Sequence, residues 1–242
     1  MAGTHGTLRR RKEMSRMAER MVPVKVWDGW VRLFHWGVVA CLVVSYVSAK
    51  ADAWSIHYAS GYTVLTLVLF RIAWGLVGSE NARFAAFIGS PVAALRELAH
   101  FTRREPDTET THNPAGAWMV VVLLAMLLVQ AASGLFTNHD VGFTYSAHGP
   151  LANAVAEETS EWFSALHVTF INLLLIAVGL HVLAVLAYAL VKRQDLVRPM
   201  VTGLKRLPAP AGQAPQHAPA LRGLVLLGLA AAGVWWITRL GG

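Results

Sequence analysis

The sequence predicts an all-α fold, an integral membrane helical bundle with a four-helix core and a fifth transmembrane helix after it. Three observations predict it. Of 242 residues, 55% are hydrophobic and only 14% charged, with mean hydropathy +0.46, too apolar for an ordinary soluble domain. Five apolar runs are each long enough to cross a bilayer. The fourth, within Glu161–Lys192, has no charged side chain between Trp162 and Val191.

The elements follow in chain order. Residues 1–25 are a basic tail: by residue 29 the chain has used seven of its 21 Lys and Arg, with RRRK at 9–12 and no long apolar stretch. Residues 26–206 make the four-helix unit. Its first span runs from about Val31 to Ala49, with Trp27, Trp30 and Trp36 at the level of an aromatic belt. KADAWS at 50–55 is a turn, and the second span runs from about Ile56 to Val77. A polar segment at 78–115 holds a short interfacial helix at Pro91–Phe101, and HNPAG at 112–116 opens a third span from about Ala117 to Phe136. An acidic loop at 137–160 precedes the fourth span. Residues 207–220 are a Pro- and Ala-rich linker with no reason to pack, and 221–242 form the fifth transmembrane helix.

Charge sets the orientation. With five spans, the N-terminal tail with Arg32, the 78–115 segment and the 192–222 segment share one side and collect 18 of the 21 basic residues. The N-terminus is therefore expected in the cytoplasm of a bacterial inner membrane protein. The same distribution accounts for the net charge of +7, so no nucleic-acid partner is implied. No removed signal peptide is read at the N-terminus. Cys41 is the single cysteine and lies in an apolar run, which excludes an internal disulfide, a thiolate metal site and a covalent CxxCH haem.

Histidines carry the chemistry. His167 and His181 are 14 residues apart in the fourth span, so they share one helix face within about 40° and lie roughly 21 Å apart along the axis. An imidazole in hydrocarbon needs a partner, and haem iron is one that a neutral imidazole suits. With no CxxCH site to attach it, such a haem is b-type. The direction of each span then pairs the ligands. His57 and His167 fall near the outer face and His35 and His181 toward the cytoplasmic one, giving two bis-histidine haem sites, one per leaflet. Read literally, the span edges leave His181 several ångström deeper than His35, a gap for tilt or an early helix start to close.

Arg71 lies 14 residues after His57 on the same face, so it points toward the inner haem, where a propionate could accept its guanidinium. Snorkelling to the headgroups is the alternative. Gly61, Gly134 and Gly179 could admit a macrocycle, although helix packing also uses glycine. His5, His100 and His217 carry little. His139 and His148 sit in the outer loop, and His112 stands at the entry of the third span.

Across about residues 24–206 the sequence resembles the bacterial cytochrome b561 family, which includes the b-type subunits of nickel–iron hydrogenases and relatives of formate dehydrogenase membrane subunits. The resemblance rests on VWDGWVRLFHW at 26–36, HYASGYTVLTLVLFRIAWGLVG at 57–78, FAAFIGSP at 84–91, HNPAG at 112–116, the LHV…GLHV pair at 166–182 and DLVRPMVTGLKR at 195–206. It implies four helices carrying two b haems, with His35, His57, His167 and His181 as axial ligands.

The expected function is transmembrane electron transfer between the quinone pool and a periplasmic redox partner, a cytochrome c or a hydrogenase-like subunit. One alternative is a stand-alone enzyme that oxidises superoxide or another small reductant and reduces quinone. Another is a histidine-lined transporter, against which stand the pairing by leaflet and the lack of acidic residues in the spans.

Overall fold

The computed structural model describes residues 21–102, 109–141, 145–208 and 214–240; the tail at 1–20, with His5, and the side chain of His139 lie outside them. Eight α-helices are seen among the described residues: α1 (Gly29–Lys50), α2 (Trp54–Val77), α3 (Phe84–Phe87), α4 (Pro91–Ala99), α5 (Pro114–Gly134), α6 (Glu157–Ala187), α7 (Val197–Thr202) and α8 (Ala220–Arg239). Five of them, α1, α2, α5, α6 and α8, are long and apolar enough to span a membrane. The chain is thus an all-α membrane bundle.

Each long helix begins where local chemistry allows. Asp28 caps α1, its Oδ1 accepting from Val31 N–H at 2.7 Å. Asn113 caps α5 by accepting from Gly116 N–H, with Pro114 in the first turn, where its missing N–H costs nothing. The α1–α2 turn is closed by Ala53 N–H donating to the Ser48 carbonyl, with Asp52 in the left-handed region at φ 53°. Helix α6 starts four residues before Glu161, with Glu157 and Glu158 at its positive N-terminal end. It continues through a π turn at Tyr188–Lys192, and Arg193 stops it in the left-handed conformation.

Helix α2 is the centre of the bundle. It packs on α1, α5 and α8, and its side chains Val64, Leu67 and Val68 join Val38, Leu124, Leu127 and Leu174 in one buried cluster. Leu65 reaches the opposite flank, against Leu135 and Val234. Helix α6 packs most closely on α5 and reaches α1 and α2 through side chains such as Leu174, its backbone standing off from theirs. That offset matters for the site.

Two short ribbons complete the chain. Strand β1 (Met21–Lys25) pairs antiparallel with β4 (Leu204–Pro208), from Met21 opposite Pro208 to Lys25 opposite Leu204; β2 (Asn138–Val141) pairs with β3 (Tyr145–His148) at the other face. The β1–β4 ribbon has no counterpart among the expected elements; it joins the end of the basic tail to the segment that follows the fourth span. It is extended by Val26 N–H donating to the Gly203 carbonyl at 2.9 Å. Gly203 is needed there: its φ is +81°, and a Cβ would lie 2.8 Å from the Trp27 carbonyl oxygen.

This cap corrects two expectations. Of the three tryptophans assigned to an aromatic belt, Trp36 is exposed, but Trp27 is buried under the ribbon and Trp30 packs against Phe70, Trp74 and the α8 glycine Gly223. The linker also packs in its second half. Ala218 N–H donates to Ser79 Oγ and Gln216 N–H to Glu80 Oε2, because a chain leaving the ribbon toward α8 passes the acceptors of the 79–82 turn.

Asp28 joins these parts. Besides capping α1, its Oδ2 accepts from Trp74 Nε1 at 3.0 Å. Asp28→Ala is expected to cost about 2 kcal/mol from the lost cap and the orphaned indole N–H, read as a lower Tm in detergent; an unchanged Tm would show that this joint contributes nothing.

Candidate functional site

Five expected site residues, His35, His57, His167, His181 and Arg71, lie on three helices, and the fold brings the histidines together in two pairs. His57 on α2 faces His167 on α6 with ring centres 6.2 Å apart and planes at 89°. His35 on α1 faces His181 on α6 at 6.5 Å and 59°. Helix α1 starts at Gly29, two residues before the expected edge and so about 3 Å longer at its entry, which closes much of the depth gap between His35 and His181.

Hydrogen bonding fixes one pair. His57 Nδ1–H donates to the Ser45 carbonyl at 2.9 Å, with Ser45 Oγ at 3.2 Å. His167 Nδ1–H donates to the Gln130 carbonyl at 2.9 Å, and Gln130 Nε2–H returns a bond to the His167 carbonyl at 3.0 Å. Since a carbonyl can only accept, Nδ1 carries the proton in both rings. Nε2 then keeps its lone pair, the state a metal ligand requires. The other pair differs. His35 Nδ1 is buried with no hydrogen-bond partner, and the ring is held by an edge contact with Trp36 at 4.8 Å.

The pairs suit a metal in a macrocycle. A coordinated imidazole nitrogen lies about 2 Å from its metal and about 1 Å from its ring centre, so two imidazoles on opposite sides of one ion have centres about 6 Å apart. Among the described residues no group of three or more His, Cys, Asp or Glu could hold a bare ion. Two facing imidazoles supply two ligands, so a metal held between them would bring its others with it. Helix α6 leaves room by standing off from α1 and α2. A Cβ at Gly61 or Gly179 would meet no atom within 4 Å, whereas one at Gly134 would lie 2.9 Å from His167 Cε1. Gly134 thus makes space for the ring itself.

Ser45, Gln130 and Ser133, whose Oγ is 3.2 Å from His167 Nδ1, were missed in the sequence. Gln130 was the findable one, as the single amide side chain of the third span.

Arg71 does not snorkel. It is 2% exposed, its Nη1 donates to the Ala82 carbonyl at 3.1 Å, and the guanidinium lies 5.1 Å from the Phe84 ring centre. Turn 79–82 and helix α3 cover the end of α2 and cut off the path to the headgroups. His112 is clamped between Trp27 at 4.7 Å and Phe87 at 4.9 Å, with Nδ1 buried and unpartnered. The remaining histidines in view are peripheral: His100 bonds the Arg96 carbonyl at the end of α4, and His148 and His217 are exposed.

Five apolar spans, with imidazoles facing each other in pairs inside them, define a multi-pass membrane protein. The profile of the prokaryotic cytochrome b561 family matches residues 26–203, about three-quarters of the chain. The chain belongs to that family, and is a b-type cytochrome, a haem-binding membrane protein of electron transport. No curated protein and no solved structure gave a match.

Burial pulls the His112 imidazole down to about 3, with the nearby Arg71, Lys205 and His181 adding to the effect. The folded form therefore binds fewer protons than the unfolded one between about 3 and the ordinary 6.5. Stability on this account is complete above 6.5 and is lost as the pH falls below it. His112→Phe should flatten the loss of Tm between pH 6.5 and 4 in detergent; a variant as acid-sensitive as the parent would contradict the assignment.

Proposed function

We propose that the protein holds two b haems, one in each leaflet of the bacterial inner membrane, and passes electrons between the quinone pool and a periplasmic redox partner such as a cytochrome c or a hydrogenase-like subunit. The observation that carries this reading is the pairing of rings about 6 Å apart, twice, along one helix. His57 and His167 would hold the outer haem and His35 and His181 the inner one. The N-terminus would lie in the cytoplasm, since basic residues crowd that face.

Bound haem supplies a one-electron iron couple. The protein's part is to hold and bias it. Helix α6 contributes one ligand to each site, with roughly 21 Å of rise between them, so a single rigid element sets the spacing of the two centres. The Ser45 and Gln130 carbonyls lock the outer imidazoles and make them stronger donors, which favours the oxidised iron. The inner imidazoles receive no matching bond through His35 Nδ1, and the buried cation of Arg71 lies on their side. Both differences favour the reduced state at the inner site. The spans meanwhile expose Val43, Val47, Ile176, Leu180 and Leu183 outward, a surface suited to lipid.

Detergent-purified chain is expected to give a b-type pyridine haemochrome at about two haems per chain. His57→Ala or His167→Ala should remove one haem and His35→Ala or His181→Ala the other; any different grouping of the four variants would refute the pairing. Gly134→Leu should drive a side chain into the His167 ring and deplete the outer haem alone, measured as the haem-to-protein ratio, whereas a full complement of haem would mean that Gly134 has no part in shaping the site.

A further inference from the structure

Within electrostatic reach of His181, toward the basic end of the bundle, lie buried polar groups that the histidine pair does not use. Arg71 sits on α2 four turns beyond His57, on the same face and toward the basic end of the bundle. It is almost fully buried, yet among the described residues one acceptor, the Ala82 carbonyl, takes one of its five N–H groups. No carboxylate forms an ion pair with it there. The nearby Asp28 is committed elsewhere, Oδ1 to Val31 N–H and Oδ2 to Trp74 Nε1–H. Asp28 therefore lends Arg71 its charge but no hydrogen bond, and a buried guanidinium with most of its N–H groups unbonded is costly.

Two further polar atoms share the region. Thr111 Oγ1 and His112 Nδ1 are buried without a hydrogen-bond partner, at adjacent positions on the segment that enters α5. That segment is rigidly placed. Asn81 Nδ2 donates to the Thr110 carbonyl, the His112 ring lies between Trp27 and Phe87, and Asn113 caps α5 while its Nδ2 donates to Tyr188 Oη. A ring ladder ties it to Arg71, which lies over Phe84, which touches Phe87, which touches His112. A cation with spare donors, a hydroxyl and an imidazole, all desolvated and all held in place, match one kind of ligand, a carboxylate.

We propose that Arg71, Thr111 and His112 form an anion pocket that takes a propionate of the inner haem. The inference rests on the reading of His35 and His181 as that haem's ligands. It assigns Thr111 and His112 a part in haem retention, and it makes Arg71 the counter-charge of the propionate in addition to its bond to the 79–82 turn. A propionate bound there also orients the macrocycle in its plane, which two axial imidazoles by themselves leave open.

The test is haem loss from the full-length, haem-loaded protein to an excess of a haem-scavenging apoprotein, with His35→Ala and His57→Ala variants identifying the inner and outer phases. Arg71→Gln, Thr111→Val and His112→Leu should each speed the inner phase about tenfold and leave the outer phase unchanged. Arg71→Gln should also lower the midpoint potential of the inner haem. Protein loaded with haem dimethyl ester, which lacks the carboxylates, should lose its inner haem quickly and at the same rate in all four proteins. Equal acceleration of native and ester haem in the variants would mean a structural role and overturn the pocket, as would unchanged loss of native haem. Thr111→Val is nearly isosteric and keeps the test decisive if the Arg71 variant fails to fold. A parent protein with two haems and insensitive rates would refute the pocket alone, whereas one with no haem at His35 and His181 would refute the inner site as well.

Discussion

The constraint on which this structure depends is that an imidazole placed in hydrocarbon must have both ring nitrogens accounted for. At His57 and His167 one nitrogen of each ring is settled by a main-chain carbonyl, Ser45 in one case and Gln130 in the other. Those carbonyls are available because Ser45 lies near the end of α1 beside the start of α2, and Gln130 in α5 beside α6. The bond therefore does two things at once. It holds neighbouring helices in register, and it leaves Nε2 of each ring without a proton while the two ring centres stand 6.2 Å apart. Helix α6 can stand off from α1 and α2 without the bundle coming apart because its packing partner is α5, and the gap so formed is bridged by histidines.

At the basic end the same accounting produces a different architecture. The membrane spans would finish in open loops there, but the β1–β4 ribbon, the 79–82 turn and helix α3 close over the ends of α1 and α2. Asp28 is the joint of that cap, since one carboxylate satisfies the start of α1 and the indole of Trp74. Covering Arg71 turns a residue that could have reached the headgroups into a fixed buried cation. The two ends of the bundle thus differ in kind: main-chain carbonyls polarise the imidazoles of His57 and His167 at one, and a desolvated positive charge, Arg71, stands at the other. The field made by the protein itself is therefore asymmetric along the bundle.

The extent to which this was legible in the sequence follows from the range of each interaction. Span positions were readable because hydrocarbon demands uninterrupted apolar helix, and the helix ends moved by only a few residues once caps at Asp28 and Asn113 were seen. The partnering of His57 with His167 and His35 with His181 was readable because helix direction and a 14-residue interval constrain depth and azimuth. The β1–β4 ribbon was not, since it joins segments some 180 residues apart with no local signature beyond a short alternation. Gln130 and Ser45 escaped because the groups they offer to the rings are backbone carbonyls, which every residue has. Trp27 and Trp30 were misplaced at a lipid belt because nothing in their local sequence announces the ribbon and the fifth helix that cover them.

Sequence alone determined that this chain crosses a membrane as a helical bundle of the cytochrome b561 type, because hydropathy and helical periodicity are properties of the chain itself. Tertiary structure decided what each buried group meets: which nitrogen of His57 and His167 carries the proton, how near the rings come, whether Arg71 reaches water, and which donors gather around it. Those outcomes depend on atoms brought from distant segments. A residue's depth can be counted along a helix, but its partner cannot.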